Sequence, residues 1–162
     1  MTSRHWVLDA SPLIALGKIG LLQALPTLAS SVVIPEAVVA EVNAGSTLDP
    51  ANLWLASQRA AKIASVPVAP ETALQHLGAG ERAVISYALA HPGFDAVLDD
   101  RAARTHAHRL GVRPVGTLGI LVLAKREGVV DQVAPLLESL LDAGYRVGQP
   151  LVDAVLREAG ER

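Results

Sequence analysis

The sequence predicts an α/β fold with a mostly parallel sheet of four or five strands. Short aliphatic runs, such as Val32-Val33-Ile34 and Ala96-Val97-Leu98, alternate with longer segments whose apolar residues have helical spacing. Apolar residues make up 51% of the chain but aromatic residues only 3%, so Ala, Val and Leu must fill the core. This composition is typical of parallel strands that are covered by helices on both faces.

Five short extended segments are expected, each bounded by turn residues or by the start of a helix. They are residues 5–8, 32–34, 63–68, 96–98 and 112–115. The first and fourth segments run directly into acidic residues, Asp9 and the pair Asp99-Asp100. In an open parallel sheet these positions lie at the carboxyl edge, which is where ligands bind.

Helices are predicted in the intervals between these strands and after the last one. Ser11 and Pro12 are typical of a helix N-cap and first turn, and Gly45 and Gly111 of helix ends. The first helix is therefore expected to open at Ser11-Pro12. The others are expected at residues 35–45, within 46–61, at 81–90, 101–111 and 117–128, and twice within 129–159.

Length, charge and cysteine content narrow the classes of function. The chain is expected to be one domain over residues 1–162, with a core at about 5–127 and a C-terminal helical extension at 128–162. It has no cysteine, which excludes disulfides, thiolate metal sites and thiol catalysis. The net charge of −2 gives no general basic field, so nucleic-acid binding requires a local basic patch or a metal. The N-terminal segment contains no uninterrupted apolar run of membrane-spanning length, because Asp9 and Lys18 interrupt it, and a cytoplasmic protein without a membrane partner is expected.

Acidic residues at the carboxyl edge of the sheet point to a metal. Asp9, Asp99 and Asp100 would share this edge, where carboxylates repel one another and are costly to bury. A hard divalent cation relieves both problems, and oxygen ligands suit Mg²⁺ or Mn²⁺. The reaction that most often uses such a site is hydrolysis of a phosphodiester.

Each candidate acid also has an ordinary structural explanation. Asp9, Asp99 and Asp100 are placed where side chains cap helices. Glu41 lies within an amphipathic helix, whose outer face is normally solvated, and Glu81 lies in a first turn, where it complements the helix dipole. The hypothesis of a metal site therefore depends on the set of acids and not on any one of them.

Five blocks of the sequence resemble, in order, the characteristic blocks of PIN domains, and more narrowly a prokaryotic subfamily related to VapC-type toxins. They are VLDASPLIAL, IPEAVVAEV, GAGERAVISYALA, AVLDDRAARTHAHRLGV and GTLGILVLAKREGVV. The resemblance covers essentially the whole chain and implies a Rossmann-like three-layer α/β/α fold with acids that bind Mg²⁺ or Mn²⁺. It also implies an endoribonuclease acting on single-stranded RNA, often the toxin of a toxin–antitoxin pair with a cognate antitoxin, and a homodimer.

The resemblance assigns the acids position by position. Asp9 matches the first acid of the family, Glu41 the second and Glu81 the third. The fourth matches Asp99 or Asp100, and the sequence leaves both open. Many members carry Asp where this chain has Glu81, so the side chain here is one methylene longer.

Contacts with RNA or phosphate are predicted for a second group of residues: Ser11, Arg101, Arg104 and Thr117. Ser11 matches the polar residue that follows the first acid in the family, and the two arginines follow the acidic pair. Thr117 and Gly116 open a helix, where free amides can bind phosphate or simple N-capping can occur. Three further cations complete a potential RNA-facing rim, although for any one of them an ordinary solvated surface is the better explanation: Lys18, Lys125 and Arg126.

Three other functions are alternatives for this sequence. In a phosphoacceptor receiver domain the acidic pair follows the first strand, whereas here it follows the fourth. A haloacid-dehalogenase-type phosphatase needs Asp-x-Asp, and in this chain Ala10-Ser11 follows Asp9. A catalytically silent PIN-like module that binds RNA or protein stays open as the alternative, and the intact set of acids argues against it.

Overall fold

A five-stranded sheet in which every strand pair is parallel organises the structure, a computed structural model that describes residues 3–57, 61–67 and 72–162. The strands are β1 (His5–Leu8), β2 (Ser31–Pro35), β3 (Lys62–Ala64), β4 (Phe94–Val97) and β5 (Pro114–Val115). They lie in the order β3-β2-β1-β4-β5, so the order reverses direction between β1 and β4. The predicted α/β class with a parallel sheet is confirmed.

Helices flank this sheet, which confirms the three-layer α/β architecture. They are α1 (Ala10–Lys18), α2 (Leu25–Leu28), α3 (Glu36–Asn43), α4 (Pro50–Ser57), α5 (Ala79–Ala90), α6 (Arg101–Arg109), α7 (Thr117–Arg126), α8 (Ala134–Asp142) and α9 (Gln149–Glu158). Two 3₁₀ turns, Leu22–Ala24 and Thr72–His76, lie between them. Helix α5 packs on β1, β2 and β4, while α1 contacts α4, α7 and α8.

The core is aliphatic, as the composition predicts. Leu8, Ile34 and Val97, one from each central strand or its end, are completely buried. The register sets Trp6 of β1 between Val32 and Asp95 on the neighbouring strands. Burial of such side chains is the main favourable term in folding, so the sheet centre is the most stable part of the scaffold that carries the site.

Several predicted boundaries differ from the structure. The N-cap of α1 is Asp9 and not Ser11. No loop separates β1 from the helix, and Asp9, which directly follows the strand, is the last residue with an extended backbone before the helix begins at Ala10. Helix α3 ends at Asn43, before Gly45, and α5 begins at Ala79, two residues before Glu81. The third and fifth strands are shorter than predicted, and position 68, the end of the third segment, lies outside the described residues.

The C-terminal residues are tied back to the preceding helices. Glu161 accepts hydrogen bonds from the backbone N–H groups of Val133 (2.7 Å) and Ala134 (2.9 Å), and from Nζ of Lys125 (3.0 Å). The bond from Val133 contributes most to lowering the pKa of Glu161 below its usual value. Because the first N–H groups of a helix have no internal partner, this carboxylate caps α8 from a distant part of the chain.

Within the described part of the chain, no single helix is long and apolar enough to cross a membrane. One pair of consecutive helical segments, Ala10–Lys18 and Leu22–Leu28, is together long and apolar enough for a membrane span by length and composition alone, but the two segments are bent by 109° relative to each other.

Candidate active site

The topology brings the two strand-end acids together. Asp9 directly follows β1, and Leu98 and Asp99 follow β4, which lies beside β1. The backbone N–H of Asp9 donates to the carbonyl of Val97 at 3.1 Å, so the start of α1 is joined to the end of β4. This is the position at which strand order reverses, and a crevice opens there in sheets of this kind.

Asp9 is the most buried acid in the described residues. Only 4% of it is exposed, and its Oδ1 atom is buried without a hydrogen-bond partner. Burial raises the pKa of Asp9 to about 7, and repulsion from Glu81, Glu41 and Asp99 adds to the increase, against a hydrogen bond from Ala10 that lowers it. The ionised form of a carboxyl group in this position is unfavourable, and a bound cation would stabilise it.

Glu41 approaches Asp9 across the first turn of α5. The backbone N–H of Gly80 donates to Oε1 of Glu41 at 2.8 Å. A Cβ atom built on Gly80 would lie 2.8 and 2.9 Å from the two oxygens of Glu41 and 3.0 Å from Oδ1 of Asp9. The two carboxylates therefore approach the same point, and Gly80 leaves the space that they need.

Glu81 interacts electrostatically with the same acids. Burial raises its pKa above the usual value, the charges of Asp100 and Glu41 raise it further, and a hydrogen bond with the backbone of Gly78 lowers it. Glu81 also contributes to the raised pKa of Asp9. The acid that follows β1 and the acids on α3 and α5 therefore raise the pKa values within this group by electrostatic repulsion.

The two members of the acidic doublet have different environments. Asp100 is the N-cap of α6, and its Oδ2 accepts a hydrogen bond from the N–H of Ala103 at 3.0 Å. Asp99 accepts two hydrogen bonds from Thr117, from the backbone N–H to Oδ1 (2.8 Å) and from Oγ1 to Oδ2 (2.7 Å). Asp99 contributes to the pKa of Asp9, which favours it as the fourth acid, while Asp100 acts on Glu81.

Tyr145, in the segment between α8 and α9, also contacts Asp99. Its pKa is raised by burial and by the charge of Asp99, with which its hydroxyl forms a hydrogen bond. Sequence reasoning missed this residue, because nothing in the local pattern around it marks a functional side chain. It also missed Gly80, although Gly80 lies in the block GAGERAVISYALA, which resembles PIN domains.

The structure changes the interpretation of two predicted phosphate contacts. Thr117 is completely buried, and both its N–H and its hydroxyl donate to Asp99, so its donors are already used. Its predicted phosphate contact is replaced by a structural role, the orientation of Asp99. Arg104 is half-buried and donates from a guanidinium nitrogen to the carbonyl of Leu98 at 3.0 Å, which ties α6 to the end of β4.

The other predicted RNA contacts have mixed environments. Ser11, Lys18 and Arg101 are exposed and stay predictions. Lys125 is paired with Glu161, as described above, and Arg126 lies 3.8 Å from a carboxylate oxygen of Glu158. Lys125 therefore has a close, partly buried acidic partner, whereas the pair formed by Arg126 is long and exposed.

The donor set fits a hard divalent cation. Among residues 3–57, 61–67 and 72–162, no three Asp, Glu or His side chains lie close enough together to form a complete metal site. Acids that share a metal approach closely only when its charge offsets their repulsion. The unpartnered Oδ1 of Asp9 and the nearby oxygens of Glu41 are the atoms that would bind it first, with Glu81 and Asp99 as further ligands.

Removal of the Tyr145 hydroxyl tests its role in positioning Asp99. We expect Tyr145→Phe to weaken Mn²⁺ affinity roughly tenfold, because groups that orient a ligand contribute strongly to metal binding. Mn²⁺ titrations followed by thermal unfolding measure the change. Tyr87→Phe, in a buried tyrosine on α5, is the matched control. Unchanged Mn²⁺ affinity in Tyr145→Phe would contradict a positioning role.

Comparison with known proteins supports the resemblance to PIN domains. A family model described as a PIN domain matches residues 5–161. Comparison with curated proteins returned no match. PIN domains are generally nucleases, and therefore hydrolases, and they generally use divalent metal ions. Since the match extends over nearly the whole length of the chain, this chain belongs to the PIN-domain family.

Proposed function

We propose that this chain is an endoribonuclease that hydrolyses phosphodiester bonds in single-stranded RNA and depends on Mg²⁺ or Mn²⁺. The observation that carries the proposal is the environment of Asp9. Its buried Oδ1 atom has no partner, and the oxygens of Glu41 approach the same point beside Gly80. A buried carboxylate with a second carboxylate beside it, at the carboxyl edge of a parallel sheet, is poorly explained by fold stability alone, because it destabilises the folded state.

Each acid has a separate task in this proposal. Asp9 and Glu41 bind the cation, and the N–H of Gly80 holds Glu41 in the required orientation. Glu81 adds negative charge from the start of α5, and Asp99 is fixed by Thr117. A bound divalent ion would lower the pKa of an attacking water and stabilise charge on the phosphate oxygens.

The direct test is cleavage of RNA by the purified full-length protein. We expect single-stranded RNA to be cut in the presence of Mg²⁺ or Mn²⁺, and cutting to stop when EDTA is added and to resume when metal is restored. A duplex of the same sequence and a single-stranded DNA serve as controls for substrate class. Several RNAs of different sequence are needed, since such enzymes can be selective. Cleavage that continues in EDTA would contradict the proposal.

The narrower biological role is part of the same proposal. A VapC-related toxin would be cytoplasmic, would form a homodimer and would be inhibited by a cognate antitoxin encoded beside it. Expression of the chain alone should then arrest growth, and co-expression of the neighbouring reading frame should restore it. Growth that is unaffected by an active nuclease would favour a housekeeping role instead.

The alternative is a catalytically silent PIN-like module that binds RNA or protein. Two observations favour it: the described acids form no compact group of three, and Glu41 is exposed to solvent. The two functions differ in their response to metal. A silent module would bind without cleaving, and Mn²⁺ would not shift its thermal unfolding.

A further inference from the structure

A groove runs from the candidate active site along the face of β4 and β5, between α7 and α9. Asp99, Tyr145 and Arg113 line it, and its aliphatic walls include Val122 and Val155. Its volume is about 690 Å³. That is in the range of sites that bind small ligands or single building blocks of a polymer, roughly 300–1,000 Å³. We call it the α7–α9 groove.

A glycine in the first turn of α7 borders the open space of this groove. Gly119 lines it, and a Cβ atom there would meet only Cγ1 of Val115, at an ordinary 4.0 Å. By contrast, a Cβ on Gly116 would lie 2.7 Å from a guanidinium nitrogen of Arg104, so the end of that side chain would have to move. Glycine weakens a helix interior relative to alanine. No contact within the described residues requires glycine at position 119, so a larger side chain placed there would extend into the open space of the groove.

The groove is more basic than the chain as a whole. Four arginines and three acids line it, although the chain carries a net charge of −2. Arg113 is 79% exposed and lies 3.9 Å from Asp95, and Arg126 is 65% exposed and lies 3.8 Å from Glu158. Ion pairs that are this long and this exposed contribute little to the stability of the fold, so both guanidinium groups can turn towards a phosphate. The groove therefore provides the local basic patch that RNA binding requires.

We propose that the α7–α9 groove binds a nucleotide of the single-stranded RNA next to the phosphate that is cut. The proposal rests on the proposed function, since Asp99 joins the groove to the catalytic acids. The base lies between the ring of Tyr145 and the aliphatic wall of α7, and the exposed Arg113 and Arg126 contact phosphates along the rim. Aromatic rings stack on bases of any sequence, and arginine recognises phosphate. The arginines favour a polyanion over an apolar protein segment as the occupant.

Filling the groove without touching the acids tests this proposal. Gly119→Leu places an aliphatic side chain in the open space, and Gly119→Ala adds only a methyl group. Ala154→Leu, on an exposed position of α9 outside the groove lining, is the matched control. All variants are made in an Asp9→Asn background, so that the probe stays intact. The probe is a fluorescein-labelled 12-nucleotide single-stranded RNA of mixed sequence, and binding is measured by fluorescence anisotropy.

We expect Gly119→Leu to raise the Kd for this RNA roughly tenfold, which is the size of a lost stacking contact, while Gly119→Ala and Ala154→Leu bind like the parent. Mn²⁺-induced thermal shifts in the otherwise wild-type Gly119→Leu protein should be unchanged, because the acids are untouched. A folded Gly119→Leu protein that binds RNA as tightly as the parent overturns the proposal and leaves the groove to a protein partner. A parent that binds no RNA overturns the proposed function instead.

Arg113→Ala gives a second test that does not depend on packing. Because this side chain is exposed, its removal should leave folding intact. We expect the slope of log Kd against log salt concentration to fall by about 0.7, the value for one phosphate contact with a single strand. An unchanged slope in both Arg113→Ala and Arg126→Ala would overturn the placement of the RNA along this rim.

Discussion

Replacement of Asp9 by asparagine should abolish RNA cleavage and make the metal-free protein more stable. Asparagine keeps the size of the side chain but removes the charge that burial and the neighbouring acids disfavour. At pH 8 the expected gain in the free energy of unfolding is about 2–4 kcal/mol, since the pKa of Asp9 is raised to about 7. The same change removes the ligand that Mn²⁺ needs, so the metal should no longer raise the unfolding temperature.

The pH dependence of this gain follows from the direction of the pKa shift. Between the usual pKa of an aspartate and about 7, the folded protein holds a proton that the unfolded chain releases. The contribution of Asp9 to stability therefore falls as the pH rises through this window and is constant above it. The difference between Asp9→Asn and the parent should be small at pH 4, grow up to about pH 7 and then level off.

Urea unfolding in EDTA at several pH values measures this difference, and RNA cleavage is followed in parallel. Asp131→Asn, at an exposed position between α7 and α8, controls for the loss of one carboxylate without burial. A metal-free Asp9→Asn protein that is less stable than the parent at pH 8 would argue against a strained carboxylate. Cleavage that survives in this variant would place the activity at another site.

Addition of a single methyl group at Gly80 should be nearly as damaging to cleavage. In Gly80→Ala the new carbon would lie 2.8 Å from Oε1 of Glu41 and 3.0 Å from Oδ1 of Asp9, closer than such atoms approach. Both carboxylates must then move, and a displacement of about 1 Å at a catalytic site can reduce the rate roughly 100-fold. Alanine favours helix, so the variant should fold normally.

The matched control is Gly78→Ala, two residues earlier, where nothing lies within 4 Å of the added carbon. Rates of RNA cleavage and Mn²⁺ affinities of the two variants should separate clearly, with only Gly80→Ala impaired. Equal activity of both variants and the parent would mean that Glu41 and Asp9 do not need to meet at Gly80.

The sequence alone was sufficient for the class of fold and for the order of its main elements. Strands end directly before Asp9 and close to Asp99 because aliphatic runs with β-branched residues form buried strands, and a polar residue ends such a run. Capping and glycine signals located most helices, although helix ends moved by about two residues, as at Ala79 and Asn43. Capping and glycine signals depend on residues that are neighbours in the sequence, which is why they can be recognised without the folded structure, although helix ends carry an uncertainty of one or two residues.

The sequence also identified all five candidate acids, but it did not distinguish between the members of the doublet. Asp99 and Asp100 are chemically the same, and both follow a buried strand. Their environments differ only because Thr117 and Tyr145 lie beside one of them and the start of α6 beside the other. Thr117 and Tyr145 are 18 and 46 positions away from Asp99 in the sequence, and only the folded chain brings them close to it.

Tertiary structure alone decided which acid is strained and what surrounds it. Asp9 has a raised pKa because β1 is the central strand, so that α3 and α5 bring Glu41 and Glu81 near it and together bury it. The roles of Gly80 and Gly119 are likewise invisible in the sequence, since a glycine's function depends on the atoms that would meet its missing side chain. Burial and electrostatic repulsion are sums over neighbours from several elements, and only the packed chain determines those neighbours.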